Sequence, residues 1–144
     1  MHTMPTSGKA TVVLLVQRND DLEMYAEFLT HKGLRAIPVS SGADALTAAA
    51  DADIIVTGIA LLGELTGIEL VARLRSDART KHKPIIVLTA SAWRVGQERA
   101  QEAGCDLFVP KPCLPDDLLR HVRLLLASVK HRGNRRPLPS HIHN

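Results

Sequence analysis

Five short apolar runs alternate with five helical patterns along this chain of 144 residues. Three of the runs, VVLLV, DIIV and PIIVLT, are continuous rather than alternating, which is typical of strands buried on both faces of a parallel sheet. Parallel strands need crossover connections, and the helical patterns between the runs can supply them. The sequence therefore predicts an α/β domain built on a doubly wound, five-stranded parallel sheet in three αβα layers.

The bounds of these elements follow from the apolar runs and from the helix start and stop signals. Functional sites in such sheets lie at the carboxyl ends of the strands, so we expect the residues just after each strand to matter most. The predicted strands are Thr11–Val16, Arg35–Val39, Asp53–Thr57, Pro84–Thr89 and Cys105–Val109. The predicted helices are Asp20–Lys32, Gly42–Ala50, Gly67–Ser76, Val95–Ala103 and Pro115–Lys130.

The net charge of +3 is unevenly distributed along the chain. Residues 130–144 contain Lys130, Arg132, Arg135 and Arg136 and no acidic residue, whereas the rest of the chain is close to neutral. We predict a flexible N-terminus over 1–8, one domain over 9–130 and a flexible basic tail over 131–144. Four basic residues without interleaved aromatics do not indicate nucleic-acid binding.

Targeting, membrane and metal signals are weak in this sequence. No apolar run approaches the ~20 residues that span a bilayer, and MHTMPTSGKA lacks the apolar core of a secretory signal, so we expect a cytoplasmic protein. Cys105 and Cys113 form no disulfide or metal motif and are predicted to be buried or half-buried thiols. His141 and His143 are expected to be uncoordinated, and no metal or cofactor is predicted.

Two segments are more specific than the general pattern. PIIVLTASA (84–92) and AGCDLFVPKPCLPDDLL (103–119) resemble the last two strands of response-regulator receiver domains, in order, spacing and residue type. VVLLVQRN, GADAL and the segment 53–70 are similar to earlier parts of that family, and the resemblance covers about residues 9–130. It implies a flavodoxin-like receiver fold and a role in two-component signal transduction or a phosphorelay.

The resemblance also implies which positions would carry the chemistry. In receiver domains an aspartate after the third strand takes up a phosphoryl group, and two acidic residues after the first strand help to hold Mg²⁺. A lysine and a hydroxyl contact the phosphoryl oxygens. In this sequence the acceptor position is Gly58 and the acidic pair falls on Gln17 and Arg18. The retained switch and phosphate-site residues are Thr89, Phe108, Lys111 and Pro112.

The loss of all three carboxylates predicts a degenerate pseudo-receiver. Glycine can be neither nucleophile nor metal ligand, and an arginine at the site would repel Mg²⁺. We expect a non-enzymatic protein that acts through protein–protein contact, at the face of the last two helices and the last strand around Trp93, Phe108 and Arg120. The expected partners are a sensor kinase, another regulator or a second copy of the chain, and not a membrane.

Two alternatives stay open at the level of sequence. The chain could be phosphorylated at another residue, Asp20, Asp21 or Thr57, although a helix cap and first-turn charge are the simpler interpretation of the two aspartates. It could instead bind a small ligand or anion through Lys111, Arg18 and Thr89. The simpler interpretation of Lys111 is a side chain that points to solvent or pairs with Glu64. No glycine-rich phosphate loop supports a nucleotide site.

Overall fold

The computed structural model describes residues 10–18, 21–90 and 94–133, the last four as backbone only. The strands are β1 (Val12–Val16), β2 (Arg35–Val39), β3 (Ile54–Thr57), β4 (Ile85–Thr89) and β5 (Leu107–Pro110). The helices are α1 (Asp21–His31), α2 (Gly42–Ala48), α3 (Gly67–Arg75), α4 (Arg94–Ala103) and α5 (Pro115–Gly133). A short 3-10 turn, Ala49–Asp51, follows α2.

The strands form one parallel sheet in the order β2-β1-β3-β4-β5, which confirms the predicted fold class. The chain winds first to one side of β1 and then, from β3 onward, to the other side. The reversal places a crevice outside the carboxyl ends of β1 and β3, where open α/β sheets bind their ligands. Gly58 lies at this crevice, and its N–H donates to the Val16 carbonyl at 2.8 Å.

Alternation along the strands divides the core between the two faces of the sheet. Val13 and Leu15 of β1 pack on the same face as Tyr25 and Leu29 of α1, together with α5. Leu14 and Val16 point to the other face, against α2, α3 and α4. Residues 13–16 are all fully buried, which explains why the first run is apolar at every position.

The start of α3 is pressed against the peptide that follows β3. Thr66 caps the helix in a capping box with Glu69, so the first turn is fixed at its N-terminus. The N–H of Gly67 donates to the Ile59 carbonyl at 2.8 Å. A Cβ atom at Gly67 would lie 1.7 Å from the Gly58 carbonyl oxygen, so this approach needs a glycine.

Two half-buried cationic side chains bond to carbonyl groups near the amino-terminal ends of the strands. Arg75 donates to the Gly104 carbonyl at 2.8 Å and forms an ion pair with Asp106 at 2.8 Å. Lys83 donates to the carbonyls of Ala49 and Ala50, at 3.1 and 2.8 Å. These bonds satisfy carbonyls at helix ends that would otherwise lack partners.

The element bounds differ from the predicted ones by a few residues. α2 stops at Ala48 because the chain tightens into the 3-10 turn, and α5 continues to Gly133 instead of ending at Lys130. β5 is Leu107–Pro110 rather than Cys105–Val109. The predicted domain limits stay predictions. Within the described ranges, no helix is both long and apolar enough to cross a membrane.

We predict that Gly67→Ala lowers the free energy of unfolding by about 3 kcal/mol, the upper end of the usual cost of overpacking, because the new methyl group meets backbone atoms. Gly58→Ala is the matched control. Its Cβ would meet the end of a side chain, Gln17 Nε2, at 3.3 Å. We expect a cost below about 1 kcal/mol, since the lost freedom of the unfolded chain offsets part of the crowding. Urea unfolding followed by circular dichroism measures both, and equal losses would contradict the close-approach argument.

Candidate functional site

The crevice is lined by the residues that directly follow three strands. Gln17 follows β1, Gly58 follows β3 and Lys111 follows β5. The parallel sheet brings these three positions to one edge although they are far apart in sequence. The predicted acceptor position, one of the two predicted acidic-pair positions and the retained lysine therefore belong to one site.

Lys111 is the centre of this site. Its ammonium group donates to Gln17 Oε1 at 2.8 Å and to Asp21 Oδ2 at 2.8 Å. The side chain of Lys111 is 11% exposed and that of Asp21 is 42% exposed. The Tyr25 ring lies on another side, with its centroid 5.9 Å from Nζ. A largely buried ammonium needs such partners, because removing it from water without compensation costs several kcal/mol.

Gln17 uses both ends of its amide. Besides accepting from Lys111, it donates through Nε2 to the Leu88 carbonyl at 3.2 Å, and its side chain is almost completely buried. A carboxylate at this position could accept from Lys111 but could not donate to a carbonyl. The site is therefore built for a neutral amide, which crosslinks the ends of β1, β4 and β5.

Gly58 leaves a space that the Gln17 amide fills. A Cβ atom at Gly58 would lie 3.3 Å from Gln17 Nε2 and 3.5 Å from the Leu88 carbonyl oxygen. The neighbouring Thr57 is fully buried, and its hydroxyl donates to the Gly58 carbonyl at 2.9 Å. The predicted acceptor position thus has an amide, not a carboxylate, beside it.

Tyr25 connects α1 to the turn after β5. Its hydroxyl donates to the Cys113 carbonyl at 2.7 Å. Burial of the phenol, and to a smaller extent Cys113 and Asp21, raises the pKa of Tyr25 to about 12. Sequence reasoning missed this residue. The signal was available, since Tyr25 lies four residues after Asp21 and therefore on the same side of the helix.

The prediction that Lys111 points to solvent or pairs with Glu64 is wrong. Glu64 is exposed, and Lys111 pairs with Asp21. Asp21 does lie in the first turn of α1, as expected, but its carboxylate also reaches into the crevice. The reason is that α1 starts soon after β1, at the carboxyl ends of the strands, where Lys111 also lies.

The other predicted residues lie around the crevice. Thr89 is buried and its carbonyl accepts from the Lys111 N–H at 2.8 Å, whereas Arg18 and Pro112 are exposed. Phe108 is half-buried and packs against the core on the α2–α4 face. Both cysteines are half-buried, as predicted. Arg120 is exposed and pairs with Asp117 at 2.6 Å. Asp20, Trp93, His141 and His143 lie outside the described residues.

Comparison with known proteins decides the family. The family model described as "Response regulator receiver domain" matches residues 13–123. This chain belongs to the response-regulator receiver family. Membership places it in two-component signal transduction, as the resemblance implied, with kinases and other regulators as the general class of partner.

Three relatives illustrate the similarity. The polar-differentiation response regulator DivK of Brucella ovis is 30% identical over 103 residues, which are 69% of this chain and 83% of that protein. A candidate response regulator of Chloroflexus aurantiacus is 30% identical with a TM-score of 0.76, covering 83% of this chain and 99% of that one. The receiver domain of a sensor histidine kinase of Pseudomonas aeruginosa, with magnesium coordinated in its active-site cleft, is 26% identical with a TM-score of 0.74, covering 83% and 99%.

We predict that Tyr25, the single tyrosine of the chain, ionises with a midpoint near pH 12 in the folded protein. The raised pKa favours the neutral phenol in the folded state, so its contribution to stability is complete below about pH 10 and is lost as the pH rises through 12. Ultraviolet absorbance of the phenolate measures this directly. The same titration in concentrated urea gives the unfolded reference, and coinciding midpoints would contradict the contact with Cys113 and the burial behind it.

Proposed function

We propose that this receiver is degenerate: it is not phosphorylated at the usual position and signals through protein–protein contact. The observation that carries the proposal is the pairing of Lys111 with Gln17 and Asp21 beside a glycine. In the family, an acceptor aspartate would stand where Gly58 stands, and the lysine would contact the phosphoryl oxygens. Here the acceptor is absent and the lysine is already engaged.

The residues of the crevice do not fit the Mg²⁺ ion of the family. Hard cations prefer several oxygen ligands, carboxylates above all, and Mg²⁺ needs near-octahedral geometry. At the end of β1 this chain has a neutral amide and an exposed arginine, Gln17 and Arg18. Among the described residues, no cluster of three or more His, Cys, Asp or Glu side chains is placed to hold a metal ion. We therefore propose that this crevice transfers no phosphoryl group and that the role of the protein is non-enzymatic.

A receiver without phosphoryl chemistry retains its surface. We propose that the face of α4, β5 and α5 contacts a sensor kinase, another regulator or a second copy of the chain. Phe108 supports this face from the core side, and Arg120 is exposed on it. Exposed arginines are frequent anchors at interfaces, and their ion pairs with neighbours on the same helix contribute little to stability.

Phosphorylation at another residue is the main competing possibility. The geometry disfavours Thr57, which is fully buried and whose hydroxyl is bonded within the chain. Asp21 is accessible, but its carboxylate is committed to Lys111. Small-anion binding at Lys111 would have to displace the same carboxylate. Phosphorylation of Asp21 and anion binding at Lys111 therefore both need this ion pair to break first.

We predict that the protein takes up no phosphoryl group when incubated with acetyl phosphate and Mg²⁺, because it lacks both the acceptor and the metal ligands. Intact-mass spectrometry measures the result on the full chain. A Mg²⁺-dependent adduct with the mass of one phosphoryl group on most molecules would overturn the proposal, and peptide mapping would then assign it to Asp20, Asp21 or Thr57.

Two variants serve as controls for this experiment. Gly58→Asp restores the nucleophile but leaves Gln17 and Arg18 in place, so we expect no adduct. Gly58→Asp combined with Gln17→Asp and Arg18→Asp restores all three carboxylates beside the retained Lys111 and Thr89, and we expect phosphoryl uptake. Uptake by the single variant would show that the missing acidic pair is not part of the defect.

We predict that Arg120→Glu abolishes capture of the partner from extracts of the native cell, because charge reversal opposes docking on the proposed face. Arg79→Glu is the matched control. Arg79 is also exposed and also pairs with a nearby aspartate, but it lies in the loop before β4, at the opposite end of the strands from the start of α5. Quantitative mass spectrometry of crosslinked material compares the two variants. Equal capture by both variants would show that the partner does not bind at the proposed face of α4, β5 and α5.

A further inference from the structure

α1 contacts the turn between β5 and α5 at two points. The turn, residues 111–114, begins with Lys111, which pairs with Asp21 at the start of α1. It continues to Cys113, whose carbonyl accepts from the Tyr25 hydroxyl one helical turn further along α1. Asp21 and Tyr25 are four residues apart, so they present their side chains on one side of the helix. The same helix face thus contacts the turn near both of its ends.

We propose that the Lys111–Asp21 ion pair is a permanent latch, which holds the turn of residues 111–114 against α1 without any phosphoryl group. This inference rests on the proposed function, because a receiver that accepted a phosphoryl group would need Lys111 to meet it. In this chain Asp21 supplies the negative charge from within. The surface around Cys113 and Leu114 is then fixed in one arrangement for a partner to recognise.

The burial of Lys111 explains why the latch stays closed. The lysine is mostly removed from water, and its other hydrogen-bond acceptor at the site, Gln17, is neutral. Loss of the Asp21 charge would leave the ammonium without its opposite charge in a poorly hydrated place. The lysine would then move toward solvent, and the turn that carries it would move with it. Cys113 would then be held by the Tyr25 hydrogen bond and by its packing against the core, without the ion pair.

The turn held by the latch ends in an exposed apolar residue, Leu114. Leu114 follows Cys113 directly and is 67% exposed, so the turn presents a large apolar side chain at the surface. Its place on the surface is set by the residues that fix the turn, because the next residues enter α5 at Pro115. A latch that holds the turn therefore also fixes the position of this apolar side chain.

The test uses the Cys113 thiol as a reporter of the turn. In the full chain carrying Cys105→Ser, Cys113 is the single thiol, and it is half-buried in the closed turn. We expect Asp21→Asn to raise its rate of reaction with Ellman's reagent about tenfold, because the thiol reacts through an opened turn. Measuring the rate across pH separates a change in accessibility from a change in thiolate fraction.

Glu23→Gln is the matched control, because it removes one negative charge from the same first turn of α1 at an exposed position. We expect no change in the rate. If Asp21→Asn and Glu23→Gln give the same rate as the parent, or change it equally, the latch is overturned. Circular dichroism verifies that each variant is folded before the rates are compared.

Lys111→Met gives an independent test, because it removes the positive partner of the ion pair instead of the negative one. Burial raises the pKa of the Cys113 thiol and Lys111 opposes part of this rise, so removal of the lysine by itself would slow the reaction at neutral pH. The latch predicts faster reaction at pH values where the thiol is fully ionised. A slower or unchanged limiting rate would overturn it. Phosphoryl uptake by the unmodified chain would instead overturn the proposed function and leave these rates unaffected, so the two failures are distinguishable.

Discussion

The site depends on one largely buried ammonium group and the partners that satisfy it. Lys111 enters the crevice from β5 and is met by an amide from the end of β1 and a carboxylate from the start of α1. Gln17 in turn donates to the carbonyl of Leu88 at the end of β4. The ends of three strands and one helix are therefore connected through the Lys111 ammonium group. Its partners together compensate the cost of removing this charge from water.

This network explains why a glutamine at position 17 and a glycine at position 58 suit each other in this crevice. A carboxylate at position 17 could not donate to Leu88, and a side chain at position 58 would crowd the amide of Gln17. Gly67 is required for a different reason, because α3 approaches the peptide after Gly58 too closely for a methyl group. Gln17 and Lys111 thus bond to groups within the protein, and in our proposal they support the surrounding surface.

Much of the fold was predictable because the apolar runs are continuous. β1 and β4 are buried on both faces, and a strand of that kind shows in the sequence as an unbroken apolar segment. The site was predictable in part: Gln17, Gly58 and Lys111 follow strands and could be placed at one edge. The ion pair with Asp21 was not found, and Glu64 was considered in its place. Spacing along the chain does not show which of several nearby carboxylates reaches a given lysine.

The sequence by itself determined the order of strands and helices, the family and the absence of a carboxylate at position 58. These follow from local patterns and residue identities, which need no knowledge of distance. The tertiary structure alone decided that Asp21 and Tyr25 of one helix both contact the turn after β5. It also decided that Arg75 and Lys83 bond to carbonyl groups near the amino-terminal ends of the strands. Such contacts join residues about 30 to 90 positions apart in the chain. They can form only after the sheet has brought these segments next to each other.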